Sequence, residues 1–284
     1  MSGPANDSTL SWRGDDGRWH HTIRQSSLSK FLHMCPESLR ADMHGETTPT
    51  TSSAAAIGTA VHAAIEHTIN HVFREGHEAV DADERQAAIV LALATYNDIA
   101  SGTEGFFVDT HGSKAFDLIR AAYAKWSHDV LPTLQPVATE LTFKDILLWE
   151  DEQRSITLNG TIDFVDARLG LIDWKTAARP YQQWEKQRWD VQSSAYLYAA
   201  KHLGIDVADK FTFCVLVHGK DVQWLTVKRD ATNEVWFKQQ CLSYAYMCEA
   251  SLPMWPLNDG GWWCSPKFCN NYTKCRGTWG DHTA

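Results

Sequence analysis

The sequence predicts an α/β fold in which helices and strands follow the order αβββαβ, with additions. Three observations support this: a long stretch with apolar residues at helical spacing, three successive segments of strand-forming residues, and a later helix followed by two more strands. The predicted elements are a helical region over about 54–131, strands at 137–149, 156–167 and 170–175, a helix near 185–203, strands at 211–218 and 222–228, and a helix at 231–250. A chain of 284 residues can bury a full core as one domain with insertions or as a core with a helical cap.

The two ends of the chain differ from this core. Residues 1–22 are polar and rich in Gly, Asp and Ser, which predicts a flexible tail, and residues 23–284 are expected to form a single domain. The segment after residue 250 is predicted to be a cysteine-rich coil. No apolar run is long enough for a secretory signal or a membrane span, so we expect a cytoplasmic protein without a membrane partner.

The helical region begins with an amphipathic helix in AAAIGTAVHAAIEHTINHVF. Gly58, His62 and Glu66 are four residues apart, so they lie on one face, and Gly58 leaves room for close packing. A neutral imidazole at His62 could bind a metal ion, with Glu66 fixing its tautomer. A surface hydrogen bond between His62 and Glu66 is the alternative interpretation.

Two adjacent strands in LNGTIDFVDARLGLIDWKT carry the most informative residues. If these strands pair as a hairpin, Asp163 approaches Asp173, and their carboxylates can share a hard divalent cation such as Mg²⁺ or Mn²⁺. Lys175 follows on the same strand face, where its ammonium can help to deprotonate a metal-bound water or stabilise charge on phosphate oxygens. This set indicates metal-dependent cleavage of phosphodiester bonds. Solvated strand-end aspartates with a surface lysine are the alternative.

The helix in WDVQSSAYLYAAKHLG places Gln192 and Tyr196 one turn apart. Both are neutral hydrogen-bonding groups that suit a crowded anionic site. The amide can contact a phosphate or the region of Lys175, and the phenol can contact a nucleotide or hold the glutamine. Tyrosine on a helix is also common at the boundary of an ordinary core.

Seven cysteines occur in the chain, and four of them form a set split between its ends. This set consists of Cys35, Cys264, Cys269 and Cys275. Four thiolates suit either a metal cluster or zinc, although the spacings CxxxxC and CxxxxxC are looser than a zinc knuckle. Disulfides are not expected, because no secretory signal is visible. The other cysteines stand in apolar contexts and are predicted to be buried: Cys214, Cys241 and Cys248.

Four of these segments resemble the motifs of a known family. GTAVHAAIE, NGTIDFVD, LIDWKT and QSSAY are similar in order and spacing to the GxxxHxxxE, GxxD, DxK and QxxxY motifs of RecB-type nucleases in the PD-(D/E)XK superfamily. The resemblance implies a restriction-endonuclease-like core, with a central mixed sheet flanked by helices and a helical insertion. The named motif residues show no departure from the family pattern.

The same resemblance implies a role for each motif residue. His62, Asp163, Asp173 and the backbone carbonyl of Trp174 would hold Mg²⁺ or Mn²⁺, and Lys175 would be the catalytic lysine. Supporting site residues carried over from the family are Glu66, Gln192 and Tyr196.

The cysteine arrangement, one early and three late, is similar to the iron–sulfur subgroup of this family. That subgroup includes AddB nuclease domains and CRISPR-associated spacer-acquisition exonucleases, and a phage exonuclease of this kind is also compatible with the pattern. The resemblance implies a [4Fe-4S] cluster that ties the N-terminal helix to the C-terminal coil. Its ligands would be Cys35, Cys264, Cys269 and Cys275.

The formal net charge of −9 lacks the electrostatic signature of most DNA-binding proteins. Contact with DNA would therefore depend on bound metal and on a local basic strip in KTAARPYQQWEKQRW. Its candidate DNA-binding residues are Arg179, Lys186, Arg188, Trp184 and Trp189. A solvated charged loop is the alternative.

Thirteen tryptophans are unusually many for a chain of this length. Trp174 flanks the proposed site and is expected, like Trp184 and Trp189, to stack on unpaired bases. Trp262 and Trp263 are expected to pack round the cluster.

The predicted function is that of a Mg²⁺- or Mn²⁺-dependent DNA exonuclease with a structural iron–sulfur cluster, in recombination, end processing or phage DNA metabolism. Two alternatives stay open: a structure-specific or spacer-processing endonuclease with the same chemistry, and a non-catalytic DNA-binding subunit. No GxxxxGK[ST] loop occurs, so unwinding would need a partner helicase. A recombinase, an annealing protein or a second copy of the chain are further expected partners, besides DNA ends.

Overall fold

The computed structural model describes residues 10–48, 50–74, 80–109, 112–207 and 209–279. Their fold is a central mixed sheet with helices on both faces, as predicted. Within these ranges, no helix has both the length and the apolar composition needed to cross a membrane.

The strands found in the described ranges are β1 (Leu10–Arg13), β2 (Trp19–Arg24), β3 (Thr50–Ser52), β4 (Gly105–Phe107), β5 (Pro136–Glu150), β6 (Arg154–Asp166), β7 (Gly170–Ala177), β8 (Lys210–Val217) and β9 (Val222–Lys228). The main sheet has the order β1-β2-β6-β7-β8-β9, and β5 pairs with the other edge of β6. Pairing is parallel between β2 and β6 and between β7 and β8, and antiparallel elsewhere in this sheet. The short strands β3 and β4 form a separate parallel ribbon.

The helices in the same ranges are α1 (Gln25–His33), α2 (Pro36–Met43), α3 (Ser53–Ile69), α4 (Ala82–Gly102), α5 (Ala115–Lys125), α6 (Gln183–Trp189), α7 (Val191–His202), α8 (Ala231–Glu249) and α9 (Tyr272–Trp279). Two apolar cores lie on opposite faces of the sheet. Leu171 of β7 belongs to the core that contains residues of α1, α7 and α8, and Ile172 to the core that contains residues of α3, α4 and α5. This alternation is what a central strand buried on both faces requires.

The predicted strands between 137 and 228 agree with the structure to within a few residues. The predicted helix near 185–203 is two helices, because the chain turns at Asp190. Asp190 has an extended backbone, and its side chain accepts a hydrogen bond from the Ser193 amide at 2.7 Å, which caps the start of α7. Because the two helices are separate, Gln192 lies in the first turn of α7.

The prediction of a flexible tail over residues 1–22 is wrong from Leu10 onwards, where the structure is described; residues 1–9 lie outside the described ranges. Strands β1 and β2 form a hairpin that extends the sheet beside β6. The polar composition of these strands led to the prediction of a tail. In the folded protein, however, their polar groups pair with other polar groups. His21, which is 1% exposed, contacts Ser11 at 2.6 Å and Glu249 at 3.1 Å.

The cysteine-rich C-terminal segment was predicted to be a coil, but its end forms helix α9. It is joined to the N-terminal helices by charged groups. Buried Glu37 pairs with Arg40 at 2.8 Å and accepts the Trp255 backbone N–H at 2.8 Å. The Arg40 guanidinium and then the Lys274 ammonium hold the pKa of Glu46 at about 2. The N-terminal helices and the C-terminal segment are therefore connected by the Glu46–Lys274 ion pair and by the hydrogen bond from Trp255 to Glu37.

Candidate active site

The candidate site lies where strands β6 and β7 separate. Their antiparallel pairing runs from Asp166 to Phe164 on β6, opposite Gly170 to Ile172 on β7. Asp163 and Asp173 are the next residues beyond that pairing. The backbone N–H of Trp174 donates to Asp163 Oδ2 at 3.1 Å, so the aspartate side chain bridges the opening between the strands. The predicted approach of the two carboxylate residues is thus present.

Both oxygens of the buried Asp173 carboxylate are engaged. Lys175 Nζ forms an ion pair with Oδ2 at 2.7 Å, and Gln192 Nε2 donates to Oδ1 at 2.5 Å. Each carboxylate oxygen still has a second lone pair with which it can accept a ligand. The Asp190 cap fixes the first turn of α7 and thereby the position of Gln192.

Helix α3 brings His62 to the same place from the other side of β7. His62 Nε2 donates to the Trp174 carbonyl oxygen at 2.6 Å, and His62 Nδ1 lies 3.7 Å from Asp163 Oδ2. Gly58, one turn earlier, also faces β7, where a Cβ would lie 3.4 Å from Thr176 Oγ1, an ordinary van der Waals distance that does not itself require glycine. The imidazole, a carboxylate and the carbonyl that the family resemblance assigns to a metal are therefore adjacent.

The charges of the site are unbalanced in favour of negative charge. Burial, and then the neighbouring Asp173 carboxylate, raise the pKa of Asp163 to about 6. Burial opposes the charge on Lys175, but the carboxylates of Asp173 and Asp163 outweigh it and raise the pKa of this lysine. In the metal-free site Lys175 is therefore a cation throughout the physiological range. Two carboxylates facing one ammonium leave a surplus negative charge that a divalent cation would neutralise.

Tyr196 closes the site from α7 and is 7% exposed. Burial, and then the carboxylates of Asp173 and Asp163, raise the pKa of Tyr196 to about 12, so the phenol keeps its proton. Gly160 on β6 makes room for this ring: a Cβ there would lie 3.3 Å from Tyr196 Cε1 and 2.7 Å from Phe143 Cζ. Glu66, by contrast, lies one turn beyond His62 on α3 and is exposed at the rim.

Two residues that the motifs did not indicate support this site. Burial raises the pKa of the Tyr181 phenol, whose charged neighbours include Lys175 and Asp173.

The second residue, Arg229, follows directly after β9, is 9% exposed and holds the corner between α6 and α7. Its guanidinium donates to Ser194 Oγ at 2.8 Å and to the carbonyls of Gln187 at 2.9 Å, Asp190 at 3.0 Å, Lys186 at 3.1 Å and Lys228 at 3.1 Å. Sequence reasoning had no local signal for it, because its partners are remote carbonyls.

The predicted DNA-binding residues differ in their availability. Trp184 is 59% exposed on α6, and Arg179 and Arg188 are also exposed. Lys186 instead pairs with Asp190 at 3.0 Å, and its ammonium lies 4.6 Å from the Tyr181 ring centroid. The side chain of Trp189 lies outside the part of the chain that the structure describes.

The expectation that Trp174 stacks on bases is wrong, because this side chain is 1% exposed. Its ring packs in the core against Trp126, with centroids 5.8 Å apart, and against Phe164, with centroids 5.6 Å apart. Only its backbone groups reach the site.

The four cysteines of the predicted cluster line one cavity between α2 and the C-terminal segment. All of them are free thiols. Burial, and then the neighbouring thiols of Cys35 and Cys269, raise the pKa of Cys275. Cys264 Sγ accepts a hydrogen bond from Arg276 Nη2 at 3.2 Å.

Of the remaining cysteines, Cys214 and Cys241 are buried as predicted, whereas Cys248 is half-buried.

The candidate ligand atoms of both sites are not arranged around a common point in this structure. Among the described residues, no group of three or more His, Cys, Asp or Glu side chains is spaced to hold a metal ion as it stands. The residues nevertheless fit the two cofactors in chemical type. Carboxylate and carbonyl oxygens next to surplus negative charge suit Mg²⁺ or Mn²⁺, and four free thiols on one cavity suit an iron–sulfur cluster or zinc.

One family of known proteins matches most of this chain, in agreement with the fold. The family described as the PD-(D/E)XK nuclease superfamily matches residues 25–270, which include all four motif segments. A crystal structure of a protein from Eubacterium rectale, provisionally named an exonuclease, is similar with a TM-score of 0.43 and 10% identity, covering 81% of this chain and 79% of that chain. A comparison with curated proteins finds no match.

Proposed function

We propose that this chain, which belongs to the PD-(D/E)XK nuclease superfamily, is a Mg²⁺- or Mn²⁺-dependent DNA exonuclease. The observation that carries the proposal is the convergence of Asp163, Asp173 and Lys175 with His62 and Gln192 at the opening between two strands. A solvated strand-end aspartate would not be 2% exposed, as Asp173 is, or engage both a lysine and an amide.

The residues that would hold the metal ion are His62, Asp163, Asp173 and the carbonyl of Trp174. When bound there, Mg²⁺ or Mn²⁺ would supply an activated water and stabilise charge on the attacked phosphate. The Lys175 ammonium, 2.7 Å from Asp173, places a second positive charge beside the same phosphate oxygens. The two carboxylates raise the pKa of this lysine in the metal-free site, so there it is a charge and a hydrogen-bond donor.

The remaining site residues orient these groups. Gln192 donates to Asp173 Oδ1 and so directs the other lone pairs of that carboxylate toward a ligand. The neutral Tyr196 phenol offers a hydrogen-bond donor inside the site. Glu66 is exposed one turn beyond His62 on α3, and we propose that it contacts DNA or water. Exposed Arg179, Arg188 and Trp184 would contact the DNA backbone and bases next to the site.

The test is cleavage of end-labelled linear DNA and of covalently closed circular DNA by anaerobically purified protein, with Mn²⁺ or with EDTA. Cleavage of linear DNA alone, abolished by EDTA and by Asp173→Asn, is the expected result. Asp221→Asn, which changes a 97% exposed aspartate side chain, is the matched control and should cleave normally. Cleavage of the circular DNA would refute the exonuclease assignment and indicate an endonuclease. No cutting of either substrate would refute the enzymatic proposal and favour a DNA-binding subunit.

We further propose that Cys35, Cys264, Cys269 and Cys275 hold a [4Fe-4S] cluster with a structural role. Support comes from the shared cavity and from the free state of all four thiols, which the reducing cytoplasm would preserve. Iron and sulfide analysis of anaerobically purified protein should give a stoichiometric cluster, and Cys269→Ser should lose it. The variant Cys248→Ala is the control, since this half-buried cysteine lies outside the set. Stoichiometric zinc without sulfide would refute the iron–sulfur assignment.

A further inference from the structure

An exposed aromatic surface lies on the cysteine-rich segment, next to the β3–β4 ribbon. We call it the aromatic platform and define it by Phe107, Trp262, Lys267 and Phe268. Trp262 and Phe268 meet edge to face with ring centroids 5.0 Å apart, and Phe107 and Phe268 do so at 5.8 Å. The Lys267 ammonium lies 5.3 Å from the Phe268 ring centroid and 5.5 Å from that of Phe107. Three rings and one cation thus form a continuous surface.

The platform does not serve the cysteine cavity. Trp263 lines that cavity and its indole N–H donates to the Asn258 carbonyl at 2.9 Å, which agrees with its predicted role. Trp262 does not line the cavity: its ring meets that of Trp263 edge to face with centroids 6.0 Å apart and is 67% exposed, while Phe268 is 39% exposed. The prediction that Trp262 packs round the cluster is therefore wrong. Large rings that contribute so little to a core indicate a surface with a binding function.

The course of α3 relates the platform to the active site. His62 contacts the carbonyl of Trp174, and Gly58 lies beside Thr176, so α3 runs antiparallel to β7. Its N-terminal end therefore points past the C-terminal end of β7, where the chain continues to the exposed Arg179. The start of α3 and Arg179 of the proposed basic strip consequently lie beyond the same end of that strand, whereas α6 runs back along β9, where Gln187 Nε2 donates to the Lys228 carbonyl.

The β3–β4 ribbon places the platform at that end of α3. Phe107 pairs in register with Ser52, the residue immediately before α3. At 1.5 Å per residue, the helix carries the chain about 14 Å from Ser53 to His62. At a stacked rise of about 3.4 Å per nucleotide, that distance corresponds to roughly four nucleotides. The Phe107 edge of the platform therefore lies, along the axis of α3, within the length of a short DNA segment from His62.

We infer that the aromatic platform stacks unpaired bases of a single-stranded DNA segment that leads to the active site. This inference rests on the proposed nuclease function and deepens it, because it names single-stranded DNA as the substrate form. Aromatic faces bind bases of any sequence, and the Lys267 ammonium among them complements the phosphates that connect those bases. Bases paired in a duplex keep their faces covered and cannot use the rings in this way.

The test measures binding separately from cleavage. Full-length anaerobically purified protein is titrated in EDTA against fluorescein-labelled oligothymidine long enough to span both surfaces, and against a blunt duplex. We expect Trp262→Ala and Lys267→Glu each to weaken oligothymidine binding, with a loss of about tenfold or more for the tryptophan. Trp262→Phe should restore binding, because the ring is retained. Trp12→Ala, which removes a 45% exposed tryptophan from strand β1, should bind normally. The affinity for blunt duplex should stay the same in all four.

The outcomes separate this inference from the proposed activity. Wild-type affinity of Trp262→Ala for oligothymidine would overturn the platform even if the protein cleaves DNA. A protein that cleaves no DNA but shows the expected loss of binding would keep the platform and refute the nuclease. Sedimentation of the same samples tests the alternative that a second copy of the chain covers the platform. If Trp262→Ala dissociates a dimer while its affinity for DNA is unchanged, the platform is a contact between two copies of the chain. That result would overturn the inference.

Discussion

Replacing Asp163 by asparagine should stabilise the metal-free protein at neutral pH while abolishing its response to metal. In the folded protein the pKa of Asp163 is raised from 3.8 to about 6, because the carboxyl is buried and faces Asp173. Its ionised form is therefore less favourable in the folded state than in the unfolded chain. Asparagine keeps the size of the side chain, and its carbonyl oxygen can still accept the Trp174 backbone N–H.

The magnitude follows from linkage. Between about pH 4 and pH 6 the folded protein binds more protons than the unfolded chain at this position, so its stability falls as the pH rises through that window. At 1.36 kcal/mol per pH unit, the raised pKa corresponds to about 3 kcal/mol of destabilisation above pH 6, and to none well below pH 4. For a domain of this size, about 3 kcal/mol corresponds to roughly 5–10 °C in Tm.

Thermal unfolding in EDTA at several pH values between 5 and 8 measures this effect. Asp163→Asn should exceed the wild type in Tm at pH 8, and its advantage should shrink as the pH approaches 5. Added Mn²⁺ should raise the Tm of the wild type at pH 8 but leave that of the variant unchanged. Asp221→Asn should follow the wild type under all these conditions. A variant that is less stable than the wild type at pH 8 in EDTA, or an advantage that does not depend on pH, would refute the reasoning.

Three further substitutions test separate parts of the structure. Lys175→Met should lower kcat about 10²–10³-fold with little change in KM, as expected for a charge that acts mainly in the transition state, and an equal rise in KM would contradict that role. Gly160→Ala should reduce the free energy of unfolding by about 1–3 kcal/mol in urea denaturation, because the new Cβ would lie 2.7 Å from the ring of Phe143. Arg229→Met should leave several carbonyls without a donor, which destabilises the corner between α6 and α7 and raises KM for DNA. If Arg229→Met raises neither KM nor the urea sensitivity, the corner is held by other contacts.

The strands and their site residues could be predicted because their signals are local. Apolar and β-branched residues identify β6 and β7, and the short turn between them sets a pairing register that ends beside Asp163 and Asp173. Gln192 was found through its spacing from Tyr196 on one helix. The exact break between α6 and α7 was missed, since the single cap at Asp190 interrupts an otherwise helical pattern.

Features that depend on distant partners could not be predicted in the same way. His21 makes a strand of polar residues stable only because Ser11 and Glu249 are there to pair with it. Arg229 looks like any surface arginine until the chain folds and places carbonyls around it. The burial of Trp174 likewise depends on helix α5, since Trp126 follows directly after it. Burial of a polar or aromatic group is a property of tertiary contacts, which composition and spacing do not contain.

The charge of the site explains how an acidic protein can bind DNA at one place. Two carboxylates and one ammonium make the metal-free site repel phosphate, and the net charge of −9 adds to that repulsion. A bound divalent cation would reverse the sign of the net charge of the site. Metal and DNA should therefore each increase the affinity of the site for the other by the same factor. Stacking on rings does not depend on this reversal. On the proposed function, the aromatic platform would hold a strand before the metal binds, whereas the scissile phosphate would enter the site only together with the cation.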